Sequence, residues 1–377
     1  WINLITLYHL IFVVKIKNNM KVSIIGTGLS SLTLAKALVN QNIQVDLITK
    51  KKVGTFNQSR TIGVSKTNVE FFNNNIVDIR KIIWKLKKIE IFTDNLKKEK
   101  LINFENQNQE LFSILKNENL FLLLKKNLYK NKYFNKIPFN ENLSFLKNYD
   151  LIINTDYSNI ITKKYFSKSI VKKYECFAYT AIIKHDFIVN DTATQIFTKI
   201  GPMAFLPISN NETSVVYSIH DAKNNKKDRI EDLIRYYNFK YKIKNIQKID
   251  SFELKSFNLR SYYHNNILAF GDLLHRIHPL AGQGFNMTLR DIRTLVDIIK
   301  NKQALGLPID SLVNKEFEDT IKHKNYIFSK GVDLIYEFFN FERKTNNNAL
   351  SKSVKIIAKN PYINKLLINF ADKGITI

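Results

Sequence analysis

Apolar positions along the chain change period several times, and each change predicts an element. Lys21–Ile25 is a short β-rich run, followed by a helical pattern through Leu32, Leu34, Ala35, Leu38 and Val39 and a second strand at Gln44–Ile48. The middle of the chain carries little punctuation. There the pattern predicts a hairpin from Lys88–Thr93 and Lys100–Phe104, a helix over Asn119–Leu128 and a buried strand over Asp150–Asn154. Tyr179–Lys184, Thr194–Lys199 and Thr213–Ile219 read as sheet strands. Another buried strand opens at Ile267, and a later helix places apolar residues at Phe285, Leu289, Ile292, Leu295/Val296 and Ile299. Strand runs followed by helix runs predict an α+β module inserted into an α/β one. Lys223–Lys227 and Lys344–Asn348 read as solvated loops, and no internal repeat is present.

Composition narrows the class. With 377 residues and 45% hydrophobic content, the chain has enough material for one large or two ordinary domains with a real core. The formal net charge of +25 comes mostly from lysine, 49 Lys against 9 Arg, as AT-rich codons would supply. No Arg-rich cluster or zinc-finger spacing accompanies it, so nucleic-acid binding is not expected. A solvated basic surface is the first reading and attraction to anionic membrane lipid the second. The single cysteine, Cys176, excludes an intramolecular disulfide and a CxxC pair and reads as a small buried hydrophobe. Trp1–Val14 is apolar but too short to span a bilayer, and the first methionine is Met20. The expectation is a working start at Met20, with an interfacial anchor as the alternative.

Two segments carry candidate chemistry. Gly26-Thr27-Gly28-Leu29-Ser30-Ser31 lies between the first strand and helix, where a dinucleotide fingerprint sits. Gly26 would allow the tight turn, Gly28 close backbone approach to a pyrophosphate on the helix N-terminus, and Ser31 replaces the third glycine. The acid expected at the end of the second strand is Thr49, and Asp46 falls three residues early, facing the other side. A glycine turn in some other α/β protein is the alternative. The second segment runs Gly271-Asp272…His275…His278-Pro279…Gly282-Gln283-Gly284-Phe285-Asn286. It predicts an acid at a strand's carboxyl end, then a loop of bare N–H groups feeding a helix N-terminus, which suits a flavin that becomes anionic on reduction.

This second segment resembles the GD…P-x2-GQGxN flavin motif of aromatic hydroxylases with the para-hydroxybenzoate hydroxylase fold. Thr194–Thr198 with Gly201-Pro202-Met203-Ala204-Phe205-Leu206-Pro207 resembles the "RFT…GPxAxLP" segment of the ubiquinone-biosynthesis hydroxylases. Arg60–Ser65 resembles their "RxxALS", and Tyr174 with Ala178 their "YxQxA". The resemblance runs from about Met20 to Lys300. Departures are Tyr157 and Lys163 for the usual Gly and Arg of the "DG" segment, Leu273-Leu274 for Ala-Ala, Thr288 for Gly and Tyr217 for Trp.

The resemblance implies a Rossmann-like FAD-binding domain (20–75, 110–168 and 260–320), an inserted mixed β-sheet substrate domain (76–109 and 169–259) and C-terminal helices (321–377). It implies an FAD-dependent monooxygenase that hydroxylates a polyprenylated phenol with O2 through a flavin C4a-hydroperoxide, with NAD(P)H or a protein reductant as donor. Cofactor contacts are expected from Gly26, Gly28, Ser31, Arg60, Asp156, Gly271, Asp272, Gly282, Gly284, Phe285 and Asn286. The flavin-ring surroundings are expected from His278, Pro279, Gly282, Gln283 and Gly284, with no side-chain base and no metal. Tyr157 would hinder a nicotinamide pyrophosphate. A cytoplasmic protein in peripheral contact with the inner membrane and with other ubiquinone-biosynthesis proteins is implied. The alternatives are a catalytically drifted flavin-fold scaffold and a hydroxylase of another aromatic substrate. His275 and His278 at i, i+3 leave a metal pair as a further alternative, and Tyr336–Phe341 reads as core or interface.

Overall fold

The apolar runs that open and close the chain's first motif assemble into one parallel sheet. The computed structural model describes residues 20–50, 59–94, 99–105, 110–140, 143–220, 227–279, 282–345 and 349–375. Trp1–Asn19, most of the Lys223–Lys227 loop, Asn346–Asn348 and Leu280-Ala281 lie outside the described residues. In chain order, β1 (Lys21–Ile25), α1 (Leu29–Val39), β2 (Gln44–Thr49), β3 (Thr61–Ser65) and α2 (Lys66–Asn75) come first. Next are β4 (Trp84–Leu86), β5 (Lys88–Thr93), β6 (Lys100–Glu105), β7 (Phe112–Lys116), α3 (Asn117–Leu128), β8 (Phe134–Pro138), β9 (Leu151–Asn154) and α4 (Ile160–Tyr165). The large sheet then contributes β10 (Ser169–His185), β11 (Thr192–Thr198), β12 (Gly201–Pro207), β13 (Glu212–His220), α5 (Lys227–Tyr237), β14 (Ile243–Ile246) and β15 (Asp250–Leu259). Last come β16 (Tyr263–His264), β17 (Ile267–Ala269), β18 (His275–Arg276), α6 (Gln283–Ala304), α7 (Ser311–Thr345), α8 (Ala349–Ala358) and α9 (Pro361–Lys373).

The first sheet has the order β16-β17-β9-β1-β2-β8 and is parallel except at the β16 edge. Its central strands are buried on both faces, which is why β1 and β9 read as continuous apolar runs rather than alternating ones. The second sheet, β18-β15-β10-β13-β12-β11-β5-β6 with β14 beside β10, is antiparallel except where β11 meets β5. Strands β3, β7 and β4 form a small antiparallel sheet of their own. This is the α/β-plus-α+β architecture the patterning predicts.

Three departures matter. β10 runs for 17 residues, so the predicted strand Tyr179–Lys184 is only its second half. The Lys-rich first half, Ser169–Lys173, pairs with β15, and a register shift separates it from Phe177. β15 lies outside the predicted strands, although Phe252 and Leu254 alternate with exposed Ser251, Glu253 and Lys255 as a half-buried strand requires. Finally, β18 belongs to the second sheet although it lies inside the 260–320 stretch assigned to the first.

Helix α6 follows its predicted face: Leu289, Ile292, Leu295, Val296 and Ile299 are all buried, while Phe285 is half-buried. Each fully buried aliphatic side chain contributes about 1.5–3 kcal/mol, enough to seat this helix on the core. Helix α7 spans 35 residues and carries a second, polar ridge toward the protein. Asn325, Ser329 and Asp333, four residues apart, are all buried. They bond in turn to Asp291 (2.9 Å), Asn258 (3.0 Å) and the Tyr174 hydroxyl.

Candidate functional site

The first glycine turn is shaped by Thr155. Gly26 has φ +140°, and a Cβ there would lie 2.0 Å from Thr155 Oγ1, so only glycine fits. Thr155 Oγ1 donates to Ile25 O (3.0 Å) and shares a 2.7 Å hydrogen bond with Ser31 Oγ. Ser31 is buried and so binds protein here, tying α1 to the end of β9. Gly28 caps α1 without a side-chain capping bond, the first turn holds no acid, and a Cβ at Gly28 would meet open space. The helix thus presents its N-terminal amides and positive dipole end outward.

The second loop docks on that turn. A Cβ on Gly271 would sit 2.7 Å from the Cβ of Ser30, so backbone meets helix directly. Asp272 is exposed at the end of this strand region. His275 is buried, and its Nε2 lies 2.6 Å from Asp291 Oδ2, an acid on α6 that also accepts from Asn325. That pair spends the imidazole on holding the loop to the helix. Gly282 caps α6 in the left-handed region at φ +62°, again with no side-chain cap and no acid in the first turn. Gly284 faces open space, and Gln283 Oε1 is buried with no hydrogen-bond partner among the described residues.

Asn286, expected as a cofactor contact, lies buried at the start of α6 and knits the loop to its neighbours. Its Oδ1 accepts from Ser65 N (2.9 Å) and Asn68 Nδ2 (2.9 Å), and its Nδ2 donates to Gly63 O (3.0 Å) and Gly282 O (3.2 Å). All of these partners are protein groups, so Asn286 joins β3 and α2 to the glycine loop. Arg60, at the start of β3, is exposed, with its guanidinium 4.8 Å from the Phe252 ring centroid on the large sheet.

Beyond the loop lies an apolar cluster from the large sheet's inner face. Tyr174, Cys176, Ala178, Phe197 and Leu254 pack against Met287 of α6 and Phe328, Val332 and Tyr336 of α7. His278 is buried among them, edge-on to Tyr174 (5.0 Å between centroids) and tilted over Tyr336 (4.4 Å). A cavity opens beside this cluster, lined by Phe197, Gly201, Pro202, Tyr336 and Phe339, with Glu342 at the α7 end. The turn joining the adjacent antiparallel strands β11 and β12, from Phe197 to Pro202, therefore forms part of its wall. Tyr336, read from sequence as core or interface, is buried in this cluster, and with Phe339 it also lines the cavity.

The drifted segment sits at the other edge. Asp156 accepts from Ser158 N (2.8 Å) and pairs with Lys50 (3.1 Å), which also donates to Ser158 Oγ. Burial pushes its carboxyl up, but the hydrogen bonds from Ser158 and Lys50 outweigh that and leave it below the ordinary carboxylate range. Tyr157 is exposed, and Arg276 of β18 stacks on it at 4.5 Å. Sequence reasoning missed Lys50 and Arg276 as partners of this segment, since neither belongs to a motif. Lys163 is exposed on α4.

The fold is that of the FAD-dependent aromatic hydroxylases of known structure, with two uncapped helix starts at its glycine turns. A family model described as an FAD binding domain matches residues 168–302. Among solved structures, the chain resembles p-nitrophenol 4-monooxygenase PnpA of Pseudomonas putida, with a TM-score of 0.75, 11% identity and coverage of 94% of this chain and 98% of that one. It also resembles HpxO of Klebsiella pneumoniae, solved with FAD and uric acid, at a TM-score of 0.71, 13% identity and coverage of 94% and 96%.

The more particular likeness is to ubiquinone hydroxylases. The chain is 30% identical over 156 residues to the 3-demethoxyubiquinol 3-hydroxylase of Escherichia coli, a match spanning 40% of each protein. It is 23% identical to the mitochondrial ubiquinone biosynthesis monooxygenase COQ6 of Dictyostelium discoideum, over 88% of this chain and 86% of that one.

Proposed function

We propose that the chain is an FAD-dependent monooxygenase that hydroxylates the aromatic ring of a polyprenylated phenol in ubiquinone biosynthesis. The observation that carries this reading is the second loop: an αL glycine cap, an open Gly284 and the partnerless buried Gln283 oxygen, in a segment whose His278 packs on Tyr336, a residue that lines the cavity. The likeness to ubiquinone hydroxylases supports the substrate class.

The residues present fit FAD. Gly26 and Gly28 with the amides of α1 would hold the pyrophosphate, and exposed Asp272 would accept from sugar-chain hydroxyls. Gly282, Gln283, Gly284 and Phe285 would border the flavin ring, where the α6 dipole favours negative charge. His278 and Pro279 would close the ring's surroundings on the cavity side. When bound and reduced, FAD supplies the electrons and the oxygen activation; the chain supplies position, dry walls and fixed N–H groups. Ser31, Asp156 and Asn286 would act by shaping the backbone around the cofactor, and Arg60 by bridging β3 to the substrate sheet. Peripheral contact with the inner membrane follows from a polyprenyl substrate; among the described residues no helix is long and apolar enough to cross a membrane.

The test is single turnover. After chemical reduction without O2, admission of O2 to protein with a lipid-dispersed prenylphenol should yield hydroxylated product. Full flavin content with no product across prenylphenols would favour a scaffold, a reading to which Tyr157 and Lys163 lend weight. Product only from soluble phenols would favour another aromatic substrate.

A further inference from the structure

Among the described residues, the last two helices leave an apolar face without protein cover. In α8 and α9, Ile356, Ile357, Tyr362, Leu366 and Leu367 stand out of the molecule, from 39% exposed at Leu367 to 70% at Ile356 and Tyr362. Helix α9 has no buried residue at all. Its inward side is nevertheless fixed. Asn364 donates to Asn103 O (2.9 Å), Phe370 stacks on Phe328 at 4.9 Å, and Asp372 accepts from Thr67 N (2.9 Å). Lys355 of α8 pairs with Glu99 (2.6 Å). A helix pair this firmly seated, with large apolar side chains turned outward, is an interaction surface rather than a misplaced core.

The charge around those residues selects the partner. From Arg343 to Ala371 the chain contains Arg343, Lys344, Lys352, Lys355, Lys359 and Lys365 and no Asp or Glu. Lys352, Lys359 and Lys365 are exposed between the apolar residues. Cations interleaved with aliphatic and tyrosyl side chains on short helices match an anionic bilayer interface, where the apolar groups enter the acyl boundary and the lysines meet headgroups. The position is informative too. Glu342, which lines the cavity, accepts from Ser351 N (2.7 Å) in the first turn of α8.

We propose that α8 and α9 dock the protein on an anionic lipid bilayer, beside the cavity opening, so that a lipid substrate passes from membrane to cavity without crossing water. The passage of substrate rests on the function proposed above; the docking does not.

The experiment is cosedimentation of the full chain with vesicles of phosphatidylcholine alone or mixed with phosphatidylglycerol. The mixed vesicles should bind it more tightly, with affinity falling as salt rises. Ile356→Glu with Leu366→Glu should abolish binding, and Lys352→Glu with Lys365→Glu should weaken it at least about tenfold, given about fivefold per lysine near the surface. Flavin content should stay unchanged in both double variants, since none of these residues touches the flavin loops. Equal binding to both vesicles, or unchanged binding by either variant, overturns the proposal. So does a concentration-dependent dimer that the apolar variant abolishes while vesicle binding persists. A colourless protein that still docks through this face would leave the docking intact and sink the flavin reading. A yellow protein that turns over a detergent-dispersed prenylphenol but ignores vesicles would do the reverse.

Discussion

Asp46 and Asp272 show how the same residue type serves two ends of one sheet. Asp46 is buried and accepts from Tyr149 Oη (2.7 Å), Lys21 Nζ (2.9 Å) and Asn135 Nδ2 (3.1 Å). Burial pushes its carboxyl up, and those hydrogen bonds, with the charge of Lys21, push it further down, so it stays ionised below the usual range. A depressed folded pKa stabilises the fold above the unfolded value of about 4, and that contribution is lost as pH falls through the folded value. Asp46→Asn should therefore cost on the order of 2 kcal/mol at neutral pH in urea unfolding. The gap should close in acid, and a gap that stays constant down to the lowest pH would refute the account. For FAD the order reverses. Asp272→Ala should weaken binding roughly tenfold to a hundredfold, while Asp46→Ala leaves the dissociation constant unchanged, as fluorescence titration would show.

At the scale of elements, the loops and helices around the flavin motifs are held by buried polar bonds. Removing Asn286 leaves Ser65 N and Gly63 O without their partner in a buried place. Asn286→Leu should lower unfolding free energy by about 2–4 kcal/mol and release FAD with it, whereas Gly284→Ala, at an open position, should release FAD at nearly unchanged stability. Thermal unfolding of the flavin-free proteins separates the two effects. The segment after β9 makes a different forecast. Tyr157 under Arg276 presents a bulky stacked pair where the hydroxylase motif has a glycine. Direct reduction by NADH or NADPH should be slow in anaerobic stopped flow, while dithionite reduces the flavin readily. Tyr157→Gly should speed nicotinamide reduction, and rapid saturable reduction of the unaltered protein by NADPH would show that the pair is no obstacle.

For the molecule as a whole, FAD bound as proposed would join elements far apart in sequence: the turn at Gly28, the strand end at Asp272 and the cap at Gly282. A ligand that binds only the folded state stabilises it by about 2.7 kcal/mol at a hundredfold excess over its dissociation constant. The protein should purify yellow with noncovalent FAD, and stripping the flavin should lower the midpoint of thermal unfolding, with recovery on adding FAD back. A protein that remains colourless in excess FAD, with no shift in its midpoint, would end the flavin reading.

What was legible in the sequence is what local chemistry dictates. A βαβ opening needs apolar runs and glycines at one turn, and both are contiguous in the chain; so are the strand, glycine loop and helix of Ile267–Ile299. The two-period pattern also marked the alternation of sheets and helices, hence the fold class. Other features depend on groups that meet only on folding. Asn325, Ser329 and Asp333 recur every fourth residue and would read as a solvated helix face, yet they are buried because Asp291, Asn258 and Tyr174 wait opposite with matching hydrogen bonds. Tyr157 stays on the surface, but its stacking partner Arg276, over a hundred residues on, meets it only on folding. Ile356 and Leu366 are core-type side chains, yet among the described residues nothing covers them. Periodicity reports which side chains share a face; which face meets protein, cofactor or lipid is decided by long-range packing, because burial is a property of the neighbour as much as of the residue.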